Sequence, residues 1–224
     1  MITAPTPPSV EVKGTGNRFP VRRIFCVGRN YAAHAREMGN DDREPPFFFT
    51  KPADAVVPNN SSIPYPPRTS NFHHEAELVV AIGTGGANVD KSDASALIYG
   101  YAVGIDLTRR DLQSDAKDNG RPWDTSKGFD RSAPIAAIHP RKEVGLIESG
   151  TIWLKVNGKD RQRADLAEMT WKVPEIIAEL STLFELAPGD LIFTGTPAGV
   201  GPLARGDTIE AGIDGLTTLT IKIV

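Results

Sequence analysis

Twenty-one glycines and eighteen prolines are spread along the whole 224-residue chain rather than gathered into a linker. Each proline removes a backbone donor and fixes φ, and each glycine weakens a helix, so many turns are expected. Short strands are expected between them. Apolar residues, 40% of the total, still supply a core, and the length suits one domain. The expectation is an α+β fold in which β dominates. Pro5, Pro7, Pro8 and Pro20 mark residues 1–20 as an extended N-terminal arm, and residues 21–224 read as a single domain.

Charge narrows the partners. The net charge is −3, and no basic run exceeds the pairs Arg22-Arg23 and Arg109-Arg110. Nucleic-acid and anionic-membrane binders usually carry a basic surplus, so neither is expected as a partner. No apolar stretch approaches the roughly 20 residues that span a bilayer. Residues 1–8 lack the basic and apolar regions of a secretory signal, so a cytoplasmic location is expected. Cys26 is the sole cysteine, which excludes an internal disulfide and a multi-cysteine zinc site. It lies in an apolar run and reads as a buried structural thiol.

Local patterns place the elements. Strands are expected at 21–27, 47–51, 75–83 and 99–107, with a short helix at 93–97. Asn30 is expected to cap a brief helix over 31–38 that Gly39 and Asn40 end. Residues 108–132 are polar and punctuated by glycine and proline, and read as a long functional loop with at most one helical turn. Asn157-Gly158 predicts a type I′ hairpin between strands 151–156 and 159–163. The best helical pattern covers 173–186, with Pro174 in its first turn and an apolar stripe of Ile176, Ile177, Leu180, Leu183 and Phe184. Leu219, Ile221 and Ile223 alternate with polar neighbours in a final strand.

Several residues carry possible chemistry. Period-two geometry puts Glu75 and Glu77 on one strand face, where two carboxylates repel. They face solvent, meet lysines, or hold a divalent cation. Asp106, closing an apolar strand, favours the cation, and three oxygen ligands favour Mg²⁺ or Mn²⁺ over Zn²⁺. His73 and His74 either add ligands or shape the surroundings. His34 and Glu37, three apart on a helix, are neighbours in the manner of a general base and its orienting carboxylate. The Gly39-Asn40-Asp41-Asp42 stretch after them would let that helix move as a lid. Lys127 is either an electrostatic partner of this group or a solvated loop lysine. Arg109, Arg110 and Gln113 suit a substrate carboxylate, with one arginine expected to be merely solvated. The Gly/Thr loop 193–201 lacks the Walker spacing, and 83–86 lacks a dinucleotide fingerprint, which disfavours nucleotide binding.

Six segments, in order, resemble the fumarylacetoacetate hydrolase family, in particular its acylpyruvase and fumarylpyruvate hydrolase branch. They are the run from Gly28-Arg29-Asn30-Tyr31 to Met38, Phe49-Thr50-Lys51-Pro52, His74-Glu75-Ala76-Glu77-Leu78, Gly104-Ile105-Asp106-Leu107-Thr108, Lys127-Gly128-Phe129-Asp130, and the run from Thr194-Gly195-Thr196-Pro197 to Gly201. The resemblance implies a β-rich roll of mixed sheets, usually a homodimer, with Mg²⁺ or Mn²⁺ on Glu75, Glu77 and Asp106. It implies a water-activating dyad of His34 and Glu37, a catalytic Lys127, and substrate contacts from Arg110, Gln113 and Thr196. The implied reaction is hydrolysis of the C–C bond of a 3-acylpyruvate, a small keto acid; fumarylpyruvate from aromatic-ring breakdown is the expected substrate, and Arg29 or Arg109 is the expected holder of its far carboxylate. Oxaloacetate decarboxylation and muconate-type isomerisation are rival outcomes at the same site. A binding module without turnover is a third, disfavoured because binding alone needs no base.

Overall fold

The computed structural model describes residues 6–31 and 44–224. The fold is β-dominant, built on two mixed sheets. The larger has six strands, in the order His139–Pro140, Ile98–Ile105, Ala76–Ile82, Asp190–Phe193, Arg23–Gly28 and Phe47–Lys51. Its neighbours are antiparallel except Asp190–Phe193 and Arg23–Gly28, which run parallel. The second sheet has five strands, Lys159–Asp165, Thr151–Val156, Thr208–Ile213, Leu219–Ile223 and Ser61–Ile63. Leu78, Val80 and Val103 from the first sheet pack with Ile152, Leu154, Ile209 and Ile221 from the second in one core.

The Ala76–Ile82 strand is buried on both faces, as befits its central place. Its other face, with Val79 and Ala81, packs against Val10, Val12 and Phe19. These belong to the N-terminal arm, which folds back as a small hairpin of Ser9–Glu11 against Arg18–Pro20. Cys26 is fully buried on the same side.

Three neighbouring strands of the large sheet do not simply end. Ala76–Ile82 is preceded by Phe72–His74, Ile98–Ile105 is followed by Thr108–Arg109, and Asp190–Phe193 is followed by Gly201–Pro202. These short pieces form a separate three-stranded sheet that keeps the same neighbour order. At the breaks lie Glu75, Asp106 and the 194–200 loop, and the Asp106 amide donates to the Glu75 carbonyl at 2.8 Å. The expected strand 75–83 is therefore interrupted at its first residue.

The Asn157-Gly158 hairpin forms as expected, with both residues at positive φ (52° and 73°). Residues 108–132 differ from the loop read in the sequence. They hold a helix, Arg110–Asp118, and a helical turn, Asp124–Lys127. The longer one buries only Gln113 and Ala116, so it has no apolar stripe to betray it. The helix expected over 173–186 stops at Leu183, and both Leu183 and Phe184 are exposed. The chain leaves it so that Leu186 can exchange two backbone hydrogen bonds with Gly86. Asn30, expected as a helix cap, instead donates to the Trp171 and Thr194 carbonyls and accepts from the Trp171 amide. Apart from Tyr31, the helix and lid expected after it lie outside the described residues.

Candidate active site

The strand breaks converge on one pocket. Arg29, Glu75, Glu77, Asp106, Arg110, Gln113, Lys127 and Thr196 all line it, so eight of the residues singled out in the sequence meet there. His34 and Glu37 lie outside the described residues. Arg109 does not line the pocket. Its guanidinium lies over the Phe129 ring, 4.4 Å from the centroid, and donates to the Thr125 carbonyl at 3.1 Å. It follows Thr108 in the short strand, so alternation turns it to the side opposite its neighbour.

Ligand atoms of Glu75, Glu77 and Asp106 lie within 4.8 Å of one another, and all three residues are buried. Water does not screen this repulsion, so buried cations offset it. The Lys127 ammonium donates to Glu75 Oε2, Asp106 Oδ2 and Thr108 Oγ1, each at 2.7 Å. Far from a solvated loop lysine, it is buried on the Asp124–Lys127 turn. Arg110 donates to Glu75 Oε1 and to Gln113 Oε1. Burial would raise the Glu75 carboxyl, but Lys127 and Arg110 outweigh it and hold the group well below the usual carboxylate range. Burial would likewise lower the Lys127 ammonium, yet Asp106 and Glu75 keep it above its ordinary value and charged.

Glu77 is different. It accepts from the Gly195 amide at 2.7 Å, and burial, with the charges of Asp106 and Glu75, pushes its carboxyl well above the ordinary range. Asp106 Oδ1 is also buried; Lys51 Nζ lies 2.8 Å away in ion-pair contact, without the geometry of a hydrogen bond. Three hard carboxylate donors converging within 4.8 Å, one of them with a raised carboxyl, fit a divalent cation of the Mg²⁺ or Mn²⁺ type. The two histidines are engaged elsewhere. His74 Nδ1 meets Gln162 Oε1 at 3.2 Å, and His73 Nδ1 accepts from Arg110 Nε at 3.4 Å while its Nε2 meets Asn71 Oδ1 at 2.7 Å. Burial and the nearby Arg110 charge press His73 down to about 4, so it is neutral at pH 7.

Other members of the site escaped the sequence reading. Lys51 is fully buried against Asp106 and also donates to the Lys127 and Leu107 carbonyls. Locally it only closes the strand Phe47–Lys51, and nothing in that pattern points to Asp106. Gln162 holds Thr196 by a 2.8 Å bond from Nε2. Lys117 lines the pocket too, and spacing i, i+3, i+7 from Arg110 through Gln113 would have found it. Phe47 and Phe49 pack on Trp123, with centroids 5.3 and 5.6 Å apart, and give the pocket an aromatic wall. Among the described residues, no helix is long and apolar enough to cross a membrane.

Comparison with known proteins agrees with this geometry. Residues 23–224 match the fumarylacetoacetate (FAA) hydrolase C-terminal family model. The chain is 47% identical over 180 residues to a fumarylpyruvate hydrolase of a Ralstonia species, covering 80% of this chain and 93% of that protein. It is 42% identical over 202 residues to the human mitochondrial oxaloacetate tautomerase FAHD1, covering 90% and 91%. The crystal structure of fumarylpyruvate hydrolase from Pseudomonas aeruginosa in complex with Mn²⁺ and pyruvate superposes with a TM-score of 0.98 at 52% identity, covering 100% of this chain and 99% of that one. With its pocket formed where three strands break and its sequence matched almost from end to end, the chain belongs to the fumarylacetoacetate hydrolase family.

Proposed function

We propose that this chain is a metal-dependent hydrolase that cleaves the C–C bond of a 3-acylpyruvate, with fumarylpyruvate as substrate and fumarate and pyruvate as products. The observation that carries the reading is the buried cluster of Glu75, Glu77 and Asp106 facing one pocket with Arg110, Gln113 and Lys127. The named activities of the Ralstonia and Pseudomonas relatives supply the substrate. Glu75, Glu77 and Asp106 would hold Mg²⁺ or Mn²⁺, which supplies Lewis-acid polarisation of the keto acid's oxygens.

The chain's own residues do the rest. Arg110 and Gln113 bind the pyruvoyl carboxylate and fix the substrate's direction. His34, oriented by Glu37, takes a proton from water, whose oxygen attacks the distal carbonyl carbon. The bond between that carbon and the neighbouring CH₂ then breaks. Its electron pair stays with the three-carbon fragment as the enolate of pyruvate, and the charged Lys127 ammonium stabilises the developing negative charge. Protonation of the enolate at its former CH₂ carbon releases pyruvate, and the attacked carbon leaves as the carboxylate of fumarate. Thr196, held by Gln162, limits where the substrate oxygens sit. The protein acts on a small keto acid, as a cytoplasmic homodimer, in aromatic-ring breakdown.

The 42% identity to a protein named oxaloacetate tautomerase favours one rival, keto-acid proton transfer without water attack. Pyruvate release from fumarylpyruvate and acetylpyruvate, and keto–enol interconversion of oxaloacetate followed by its ultraviolet absorbance, each with Mg²⁺ and with EDTA, separate them. Metal-dependent turnover that favours fumarylpyruvate supports the proposal, and preference for oxaloacetate overturns the substrate. His34→Ala abolishes hydrolysis and spares oxaloacetate chemistry if the dyad serves only the water.

A further inference from the structure

The cations of the pocket are not alike. Lys127 is paired with Glu75 and Asp106, Lys51 with Asp106, and Arg110 with Glu75. Lys117 lines the same pocket, yet no carboxylate among the described residues pairs with it. Its ammonium lies 5.4 Å from the centroid of the Trp123 ring, beside the aromatic wall. Burial first, then repulsion from Arg29 and Arg110, push its pKa below the ordinary lysine value, although the Glu75 charge opposes them. A half-buried cation set among other cations is stabilised by an anion that arrives from outside.

Its place along the pocket says which part of the ligand that anion belongs to. Arg110, Gln113 and Lys117 share one face of the Arg110–Asp118 helix. Arg110 and Gln113 sit at the end nearest the carboxylate cluster, where Arg110 bonds Glu75. Lys117 stands about 10 Å further along the helix axis from Arg110. Arg29, which lines the same pocket, stacks on Phe47 with its guanidinium 5.5 Å from the centroid, and Phe47 packs on the Trp123 ring that Lys117 faces, so the two cations flank one aromatic wall.

Building on the keto-acid reading above, we propose that Lys117, aided by Arg29, receives a second anionic group at the far end of the substrate's acyl chain, so that the site selects keto diacids over keto monoacids of equal length. Arg109, engaged with Phe129 and Thr125, has no part in this.

The test uses probes that are not hydrolysed. Calorimetry with Mn²⁺-loaded protein compares 2-oxoheptanedioate with 2-oxoheptanoate, for the wild type, Lys117→Met and Lys117→Arg. The wild type should bind the diacid at least about tenfold more tightly, the weight of one charge-assisted hydrogen bond. Lys117→Met should remove that preference and leave monoacid affinity alone, and Lys117→Arg should restore much of it. Equal weakening of both ligands, or no change in either, overturns the assignment. Mn²⁺ affinity measured alongside reports whether the variant site is intact. If the wild type fails to cleave fumarylpyruvate but keeps a diacid preference that depends on Lys117, the hydrolase reading falls and this one stands.

Discussion

Gln162 offers the sharpest test of how this site is supported. Only 1% of it is exposed, and its amide joins three separate segments. Oε1 accepts from the Ala76 amide at 3.0 Å and meets His74 Nδ1 at 3.2 Å, while Nε2 donates to Thr196 Oγ1 at 2.8 Å and to the Pro197 carbonyl at 2.9 Å. The backbone partners fix the amide's orientation, since an N–H must donate and a carbonyl must accept. Gln162→Leu keeps the volume but strands both backbone groups in a buried place. Each orphaned group costs about 1–3 kcal/mol, whereas the Thr196 hydroxyl and the His74 ring can turn to other partners. The expected loss is therefore about 4 kcal/mol. At about 2–4 °C per kcal/mol for a domain of this size, the melting temperature falls by roughly 8–16 °C. Urea and thermal unfolding followed by circular dichroism, with the metal content held fixed, measure it. A change under about 0.5 kcal/mol, the level of an ordinary surface substitution, would refute the reasoning.

Three further perturbations follow from the geometry. Glu77→Gln removes a carboxyl whose pKa burial and neighbouring acids raise, so in EDTA at pH 7 the variant is as stable as the wild type or more so, because raised acids lose their stabilising contribution as pH climbs. Its Mn²⁺ affinity, read by electron paramagnetic resonance, falls steeply; unchanged affinity would remove Glu77 from the ligand set. Gly199 has φ of 95°, and a Cβ there would lie 2.1 Å from the Arg161 carbonyl, so Gly199→Ala lowers the melting temperature by several degrees unless the loop can shift. Burial, then the Asp106 charge, pushes the Cys26 thiol up, so native protein resists iodoacetamide from pH 7 to 9, and rapid labelling would contradict that burial.

Much of this architecture is legible in local pattern. Alternating apolar residues mark the central strands, Asn157-Gly158 marks the hairpin, and Glu75, Glu77 and Asp106 stand out as acids in apolar runs. The Arg110–Asp118 helix stays hidden because its buried face is polar, built around Gln113 and Ala116. Gln162 and Lys51 stay hidden for another reason. Their partners lie 34 to 88 residues away for Gln162 and 56 or 76 for the carbonyls that Lys51 holds, separations that no local period reports. Arg109 and Arg110 are equivalent in sequence, and only the turn from strand to helix sends one to Phe129 and the other to Glu75.

The interrupted strands divide labour within the molecule. Glu75, Asp106 and the Gly195 amide that holds Glu77 hang from three adjacent strands, whose two sheets fix them from both ends. Arg29, Phe47, Lys117 and Trp123 instead stand on edge strands, turns and a surface helix around the rim. Substitutions at the rim can therefore retune which acyl group is accepted while the sheet-anchored acids keep their spacing. One rigid hub with an interchangeable collar is a frame on which a protein named as a fumarylpyruvate hydrolase and one named as an oxaloacetate tautomerase can each be more than two-fifths identical to the same chain over the aligned residues.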